Sequence, residues 1–424
     1  MKVCVVGLGK IGLPLSVQFA KSGFDVVGVD VSENSVSLIN NGIAPFPGEP
    51  SLDIYLKEVL AKKKLLATSS YQQGVTDADV VVVLVPLIVN GENIPNYTSI
   101  DSATTEIAKY LKKDALVSYE TTLPIGTTRN RFGNLLEKIS GLKVGMDFHL
   151  VFSPERVSSG RIFEDLKNYP KIVGGVTAAC TEKGVNFYSS ALTFNARTDL
   201  KRANGVWAVE SSESSEFVKL AETTYRDVNI GLANQFAIHA KELSLDINEI
   251  VESANSQPFS HIHTPGISVG GHCIPVYPHF YLTTDPSASI VKAAREQNAA
   301  MPNYYLEKIR TLSKSLKGLN ILILGLAYRP DVKEHTLSGT LKLAEIIKAE
   351  GANPVVVDPL YTDDEIKSHG LKPFENETNI DYIILHTGHS EFKDFDFLRF
   401  SGLKAIIDGR HFFHSISDIP RIIH

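Results

Sequence analysis

Cysteine is scarce in this chain. Cys4, Cys180 and Cys273 are the three, far apart and without a C-x-x-C pair. That spacing excludes a disulfide framework and a thiolate zinc site, so no metal is expected. Long apolar runs are missing as well. The longest, Val80 to Val89, is interrupted by Pro86 and falls far short of the roughly 18 residues that cross a bilayer, so no membrane partner is expected. The start, M-K-V-C-V-V-G-L-G, has one lysine and an apolar run cut by glycine. It reads as a strand entering a turn, not as a targeting segment. Positive charge is not in surplus: 42 Lys+Arg against 48 Asp+Glu leave a net charge of -6. This argues against nucleic acid as a partner and for a cytoplasmic protein of small ligands.

What is present fits an enzyme of two or three domains. The chain has 424 residues, 43% apolar and 21% charged, enough for a large core. Thr264 to His279, T-P-G-I-S-V-G-G-H-C-I-P-V-Y-P-H, sets Gly266, Gly270, Gly271, Pro265, Pro275 and Pro278 around Cys273. Such a density of glycine and proline predicts a shaped loop rather than a helix or strand. A thiol fixed after bare Gly-Gly amides is a candidate nucleophile beside an oxyanion or phosphate cradle. The plainer alternative is a small buried cysteine in a turn.

Lys2 to Val6 reads as a buried strand running into Gly7-Leu8-Gly9-Lys10-Ile11-Gly12. A helical pattern and a second strand ending at Asp30 follow. This is G-x-G-x-x-G in its required context. The first glycine makes the turn, the second admits a pyrophosphate, and the third lets helix pack on strand. Asp30 lies 18 residues after Gly12 and suits ribose hydroxyls. Its charge repels a 2′-phosphate, so NAD is expected over NADP. Further parallel strands are expected at Ala78 to Val85, Leu116 to Glu120 and Phe148 to Phe152, then at Lys171 to Gly174 and near Thr193. Pro86 and the polar residues Thr121-Thr122 and Glu155-Arg156 sit just after strands, where ligands bind in such sheets. From about Ser214 to Leu243 apolar residues at three-to-four spacing predict one long helix. Its stripe is Phe217, Leu220, Ala221, Val228, Leu232, Phe236 and Leu243, with Lys219, Thr223 and Arg226 on one face. A helix is expected at Ile247 to Asn255, and another from Ala288 to Leu316, broken at Pro302. From Leu319 the pattern restarts as a second βαβ region without the G-x-G-x-x-G glycines. The fold class expected is α/β: two Rossmann-like βαβ domains joined by a long central helix and a helical middle region.

These residues carry a resemblance. V-V-G-L-G-K-I-G-L-P-L, E-T-T-L-P-I-G-T-T at 120–128, S-P-E-R-V at 153–157 and K-L-A-E-T-T-Y-R-D-V-N-I at 219–230 recur in one order. G-G-H-C-I-P-V at 270–276 and G-L-A-Y-R-P-D-V at 325–332 complete the set. Over its length the chain resembles the UDP-glucose/GDP-mannose dehydrogenase family, and P-E-R with G-G-H-C-I-P resembles the branch acting on UDP-N-acetylhexosamines. The resemblance implies oxidation of a sugar C6 alcohol to a carboxylate with two NAD. Cys273 would add to the intermediate aldehyde, Lys219 would stabilise oxyanions, and Thr122 would orient water or the nicotinamide side. Glu155 would serve acid–base work or water activation. Arg156, Gly270, Gly271, Tyr328 and Arg329 would line the UDP-sugar site. It also implies three domains: NAD-binding (1–200), central and dimerising (201–316), and UDP-sugar-binding (317–424). Three positions depart from the family pattern. Thr223 stands for Asn and can still donate to an oxyanion, Tyr277 stands for Asp, and Thr336 stands for Arg.

Two other readings use parts of the same pattern. A two-electron hydroxyacid or polyol dehydrogenase needs a helix lysine but neither the Cys273 loop nor the restart at Leu319. A non-catalytic NAD-sensing protein would account for the three departures. The resemblance favours UDP-N-acetyl-D-mannosamine as substrate, with UDP-N-acetylglucosamine and UDP-glucose as the alternatives. The long helix has Val218, Ile230, Ala233, Ala237 and Ile238 off its stripe, so it needs more cover than its own domains give. A homodimer through that helix is expected; loops such as Phe259 to His263 folding over it are the alternative.

Overall fold

The structure, a computed structural model, describes residues 1–413 and 422–423. It divides into two compact units: Met1–Glu222 with His279–Thr284, and Thr223–Pro278 with the chain from Asp285 onward.

The first unit is built on an eight-stranded sheet. Its strands are β1 (Lys2–Val6), β2 (Asp25–Val29), β3 (Leu65–Thr68), β4 (Val80–Val83), β7 (Leu116–Tyr119), β8 (His149–Phe152), β9 (Lys171–Gly175) and β10 (Val206–Ala208). A two-stranded hairpin, β5 (Ile88–Val89) with β6 (Pro95–Asn96), stands apart. The sheet order is β10-β9-β8-β7-β4-β1-β2-β3. The central strands are short runs of valine and leucine buried on both faces, as a sheet covered by helices on each side requires. The order reverses between β1 and β4, the place in an open α/β sheet where ligands bind.

Two expectations fail in this sheet. The pairing of β8 with β9 is antiparallel, not parallel; the intervening helix, Ile162–Asn168, is short and the chain returns beside β8. The edge strand expected near Thr193 forms at Val206–Ala208 instead. Before it, the Asn204 side chain donates to the carbonyls of Lys167, Asn168 and Asn195 and closes a loop.

The second unit carries a five-stranded, all-parallel sheet ordered β12-β11-β13-β14-β15. Its strands are β11 (Asn320–Leu324), β12 (Asn353–Val357), β13 (Tyr382–Leu385), β14 (Ala405–Asp408) and β15 (Ile422–Ile423). Its first turn repeats that of the first unit. Gly7 N donates to Val29 O and Gly325 N to Val357 O, both at 2.8 Å. Gly7 and Gly325 have φ of 95° and 101°, values a side chain tolerates poorly. Asp30 Oδ2 accepts from Leu8 N at 2.8 Å, and Asp358 Oδ2 from Leu326 N at 2.7 Å.

The long helix runs Ser212–Glu242. Its buried apolar row keeps Leu220 from the stripe read from spacing and otherwise departs from it. Leu220, Ala233, Ala237 and Ala240 are buried, while Phe217, Tyr225, Leu232, Phe236 and Leu243 are exposed. Small side chains decide this. At Gly231 a Cβ would meet Ala294 Cα at 3.1 Å, an approach that leaves no room for aromatic rings.

Two proline expectations are corrected as well. The helix Ser289–Leu312 continues through Pro302. Met301, Pro302, Tyr305, Leu306 and Ile309 are buried, and that burial outweighs the roughly 3 kcal/mol cost of an interior proline. The Thr264–His279 stretch is not loop throughout: a helix begins at Tyr277. Pro278 falls in its first turn, where a missing N–H costs nothing.

Candidate active site

The glycine turn joins β1 to the helix Gly12–Lys21. A Cβ on Gly12 would lie 1.8 Å from Gly7 O, while one on Gly9 would meet nothing within 4 Å. Gly12 therefore holds the turn shut, and Gly9 leaves bare backbone facing open space. Gly9 and Lys10 are exposed and Ile11 is half-buried, at a helix N-terminus whose amides favour an anion. Asp30 Oδ1 accepts from Ser32 N at 2.9 Å, so both carboxylate oxygens are anchored to main chain. Pro86, exposed after β4, lies on the neighbouring loop. The arrangement fits a dinucleotide: a bare turn for the pyrophosphate and a fixed carboxylate beyond it for ribose hydroxyls.

Past β7 and β8 lies a denser set. Thr122 is buried in a turn that the long helix grips from its first residues. Glu216 Oε1 accepts from Thr128 N (2.8 Å) and Thr128 Oγ1 (2.7 Å), and Glu216 Oε2 from Gly126 N (2.5 Å). Burial pushes the Glu216 carboxyl up to about 7 against those three donors. Arg129 pairs with Glu213 at 2.6 Å. One turn further along the helix, Lys219 is only 6% exposed, not the solvated charge usual on a helix surface. Its Nζ donates to the main-chain oxygen of Glu155 at 2.8 Å. Arg156 Nε pairs with Glu222 Oε2 at 2.9 Å. Glu155 and Arg156 thus bind different partners and not each other's side chains.

The Glu155 carboxylate is itself held. Oε2 is 2.8 Å from Lys171 Nζ, and Oε1 accepts from Arg156 N at 2.8 Å. Burial pushes its pKa up, but the Lys171 ammonium, the Arg156 amide and the Lys219 charge bring it below its usual value. An ionised Glu155 suits a base rather than an acid. Lys171 and Glu216 carry no motif, and their partners are distant in sequence; Glu120 opens the E-T-T-L-P-I-G-T-T stretch but was given no role of its own. A lysine opening a buried strand, K-I-V-G-G, is the signal that could have found Lys171.

In the second unit the structure brings Gly270, Gly271 and Tyr328 together. A Cβ on Gly270 would lie 2.5 Å from Tyr328 Cβ, and one on Gly271 3.0 Å from the Tyr328 ring. The glycines are required because the ring lies against their backbone. Gly271 N donates to Thr336 O at 2.8 Å, and the Thr336 hydroxyl donates to Glu334 Oε1 at 2.7 Å. Cys273 is half-buried. Its carbonyl accepts from Tyr277 N at 2.9 Å, which sets the thiol at the amide end of a helical turn, where negative charge is favoured. Burial raises Tyr328, Arg329 opposes this, and the charges of Glu334 and Cys273 add to it. Thr223 is fully buried on the long helix. Asp358, the counterpart of Asp30, is not open in the same way: His389 Nε2 lies 3.1 Å from its Oδ2.

A Rossmann turn with an anchored acid, and a half-buried thiol in a glycine loop, define a nicotinamide-dependent oxidoreductase. Three family models match in succession, all of the UDP-glucose/GDP-mannose dehydrogenase family: its NAD binding domain over residues 1–192, its central domain over 213–300 and its UDP binding domain over 322–415. A UDP-N-acetyl-D-mannosamine dehydrogenase of Pyrococcus horikoshii is 34% identical over 97% of this chain and 96% of its own. One of Campylobacter jejuni is 35% identical over 91% of each. A solved structure of the Pyrococcus horikoshii UDP-D-ManNAc dehydrogenase superposes with a TM-score of 0.86 at 32% identity, covering 100% of this chain and 99% of that one. The chain belongs to the UDP-glucose/GDP-mannose dehydrogenase family and is an NAD-dependent UDP-sugar dehydrogenase. Among the described residues no helix is long and apolar enough to cross a membrane.

Proposed function

We propose that this enzyme oxidises the C6 hydroxyl of a UDP-N-acetylhexosamine to the uronate, with UDP-N-acetyl-D-mannosamine as the substrate, in the cytoplasm. The relatives' names support that sugar, since the matches extend over nearly the whole chain. The four-electron course rests on one observation: Cys273 stands half-buried in a loop whose two glycines are packed on Tyr328. Gly7, Gly9, Lys10, Ile11 and Gly12 would hold NAD, with Asp30 for its ribose and Pro86 and Thr122 on the nicotinamide side, and NAD would supply the hydride acceptor.

Lys219, fixed by Glu155 O, places a charge against the alkoxide and each later oxyanion. Thr223 donates to the same oxygen. The Cys273 thiolate adds to the C6 aldehyde, forming a C–S bond and a thiohemiacetal; the loss of a second hydride leaves a thioester. Glu155, as a carboxylate, takes a proton from water as the water's oxygen attacks, and the C–S bond breaks to return the thiolate. Arg156, Gly270, Gly271, Tyr328 and Arg329 hold the nucleotide sugar. In this reading residues 1–200 bind NAD, 201–316 form the dimer and carry the thiol, and 317–424 bind the UDP-sugar. The exposed row Phe217, Tyr225, Leu232, Phe236 and Leu243 supports a homodimer through the long helix.

The test is stoichiometric. With limiting UDP-sugar and excess NAD, two NADH form per sugar, and one per sugar with a free aldehyde would sink the four-electron course. Cys273→Ser retains hydride chemistry but stalls before release; a fully active variant would make the thiol structural. A panel of UDP-N-acetylmannosamine, UDP-N-acetylglucosamine and UDP-glucose decides the sugar.

A further inference from the structure

Five buried groups meet where β7, β8 and β9 come together in the first unit. Lys171 Nζ lies 2.7 Å from Glu120 Oε2 and 2.8 Å from Glu155 Oε2. The Tyr188 hydroxyl donates to Glu120 Oε1 at 2.5 Å, and Ser118 Oγ is 2.7 Å from the same hydroxyl. The side chains of Lys171, Glu120 and Glu155 are 4%, 0% and 10% exposed.

A buried ion pair is a poor way to stabilise a fold, since apolar residues of the same volume do as well or better. Here an acid–base–acid row is buried at the ends of β7, β8 and β9, beside strands that are otherwise mostly apolar. The far end of the row explains its use. Glu155 is the residue whose carbonyl receives Lys219 Nζ, and its carboxylate is the one group in the row that the reaction calls on.

We propose that Lys171 and Glu120 are positioning residues of the reaction. They keep Glu155 a carboxylate and fix the turn at 153–157, so that its carbonyl aims the Lys219 ammonium. Lys171 reaches neither substrate nor thiol chemistry directly. It supplies the cation that lets Glu155 remain charged away from water, while Glu120 and the Tyr188 hydroxyl hold Lys171 from the other side.

Charge counting agrees. The groups facing one another are Glu120, Glu155 and Glu222 against Lys171, Lys219 and Arg156, with the Tyr188 phenol; Glu222 lies 3.6 Å from Lys219 Nζ. With every carboxyl ionised, three charges of each sign balance while Lys171 is present. Burial, and then the charge of Glu155, push Glu120 up to about 7 despite Lys171, so Glu120 is the member that takes up a proton first. Without Lys171 the two carboxylates would share a proton, and Glu155 would spend part of its time as an acid.

The inference rests on the reading of Lys219 and Glu155 given above, and the experiment separates the two. Lys171→Met, Lys171→Arg and Lys219→Ala are made in the full chain and assayed for kcat, its pH profile and NAD affinity. Lys171→Met should lower kcat at pH 7 by about tenfold to a hundredfold and move the acid limb upward by about one pH unit or more, with NAD affinity unchanged. Lys171→Arg should restore the limb and most of kcat. A residue needed only for folding would lower kcat without moving the limb. If Lys171→Met does not fold, Glu120→Gln with Lys171→Met, which removes one buried charge of each sign, is read in its place, and the same upward shift is expected. An unmoved limb, or Lys171→Arg no better than Lys171→Met, overturns the proposal. Lys219→Ala inactive with wild-type-like Lys171 variants overturns this inference alone; an active Lys219→Ala overturns the reading beneath it as well.

Discussion

Asp30 does two jobs with one carboxylate, and they are separable by measurement. It anchors Leu8 N and Ser32 N, and in the function proposed above its charge would repel the 2′-phosphate of NADP. Asp30→Ala should therefore narrow the preference for NAD over NADP in steady-state assays. It should also lower stability by about 1–3 kcal/mol, because two amides lose their acceptor. Wild-type enzyme that already uses NADP as well as NAD would refute the charge argument. Asp30 was legible in the sequence because the motif is local: strand, glycines, helix, strand and acid follow one another within thirty residues. Cys273 was legible for a similar reason, its glycines and prolines being neighbours in the chain. Lys171 was not. Its partners, Glu120 and Glu155, are 51 and 16 residues away, and nothing in the intervening sequence marks them as a group.

At the scale of elements, the long helix shows what spacing does and does not convey. Its extent was readable, Ser214 to Leu243 against Ser212–Glu242, because thirty residues without proline leave few alternatives. Which face it buries was not. Leu220 of the expected stripe is buried, but Phe217, Leu232, Phe236 and Leu243 are exposed, and the rest of the buried apolar row is alanine. Hydrophobicity ranks Phe236 above Ala237, but close helix packing selects the smaller side chain. The exposed row makes a direct prediction. Leu232→Glu with Phe236→Glu should convert a particle of twice the chain mass into one of single mass in light scattering, while the far-ultraviolet circular dichroism stays that of the parent. A parent already at single mass at micromolar concentration would refute the dimer. Pro302 teaches the converse lesson: a proline inside a helical pattern ends the helix only where burial does not outweigh it.

The molecule as a whole should respond to pH through its buried carboxyls. Glu120 and Glu216 are both pushed up to about 7, chiefly by burial. A carboxyl with a higher pKa folded than unfolded holds its proton more tightly in the native state. Its stabilising contribution is present at low pH and is lost as pH rises through the folded value. Glu213, lowered to about 2 with Arg129 on its side chain despite its partial burial, loses its contribution only in strong acid, outside this range. Buried His386 and partly buried His263, both lowered, act the opposite way below and around 6.5, and Lys308, lowered to about 8 by burial, does so as pH approaches 8. Between pH 6.5 and 8, unfolding free energy should therefore fall by about 1 kcal/mol or less, seen as a lower denaturation midpoint at pH 8. A midpoint that rises over that interval would contradict the assignment.

The two sheets share one way of starting. Each opens with a glycine at positive φ whose amide reaches the end of the second strand, and each closes with an aspartate that receives the next amide of the turn. In the second sheet His389 Nε2 lies 3.1 Å from that aspartate. The same turn therefore serves two ends: the first leaves its carboxylate toward open space, and the second ties it inside its own unit, so that a ribose would find no matching acceptor there.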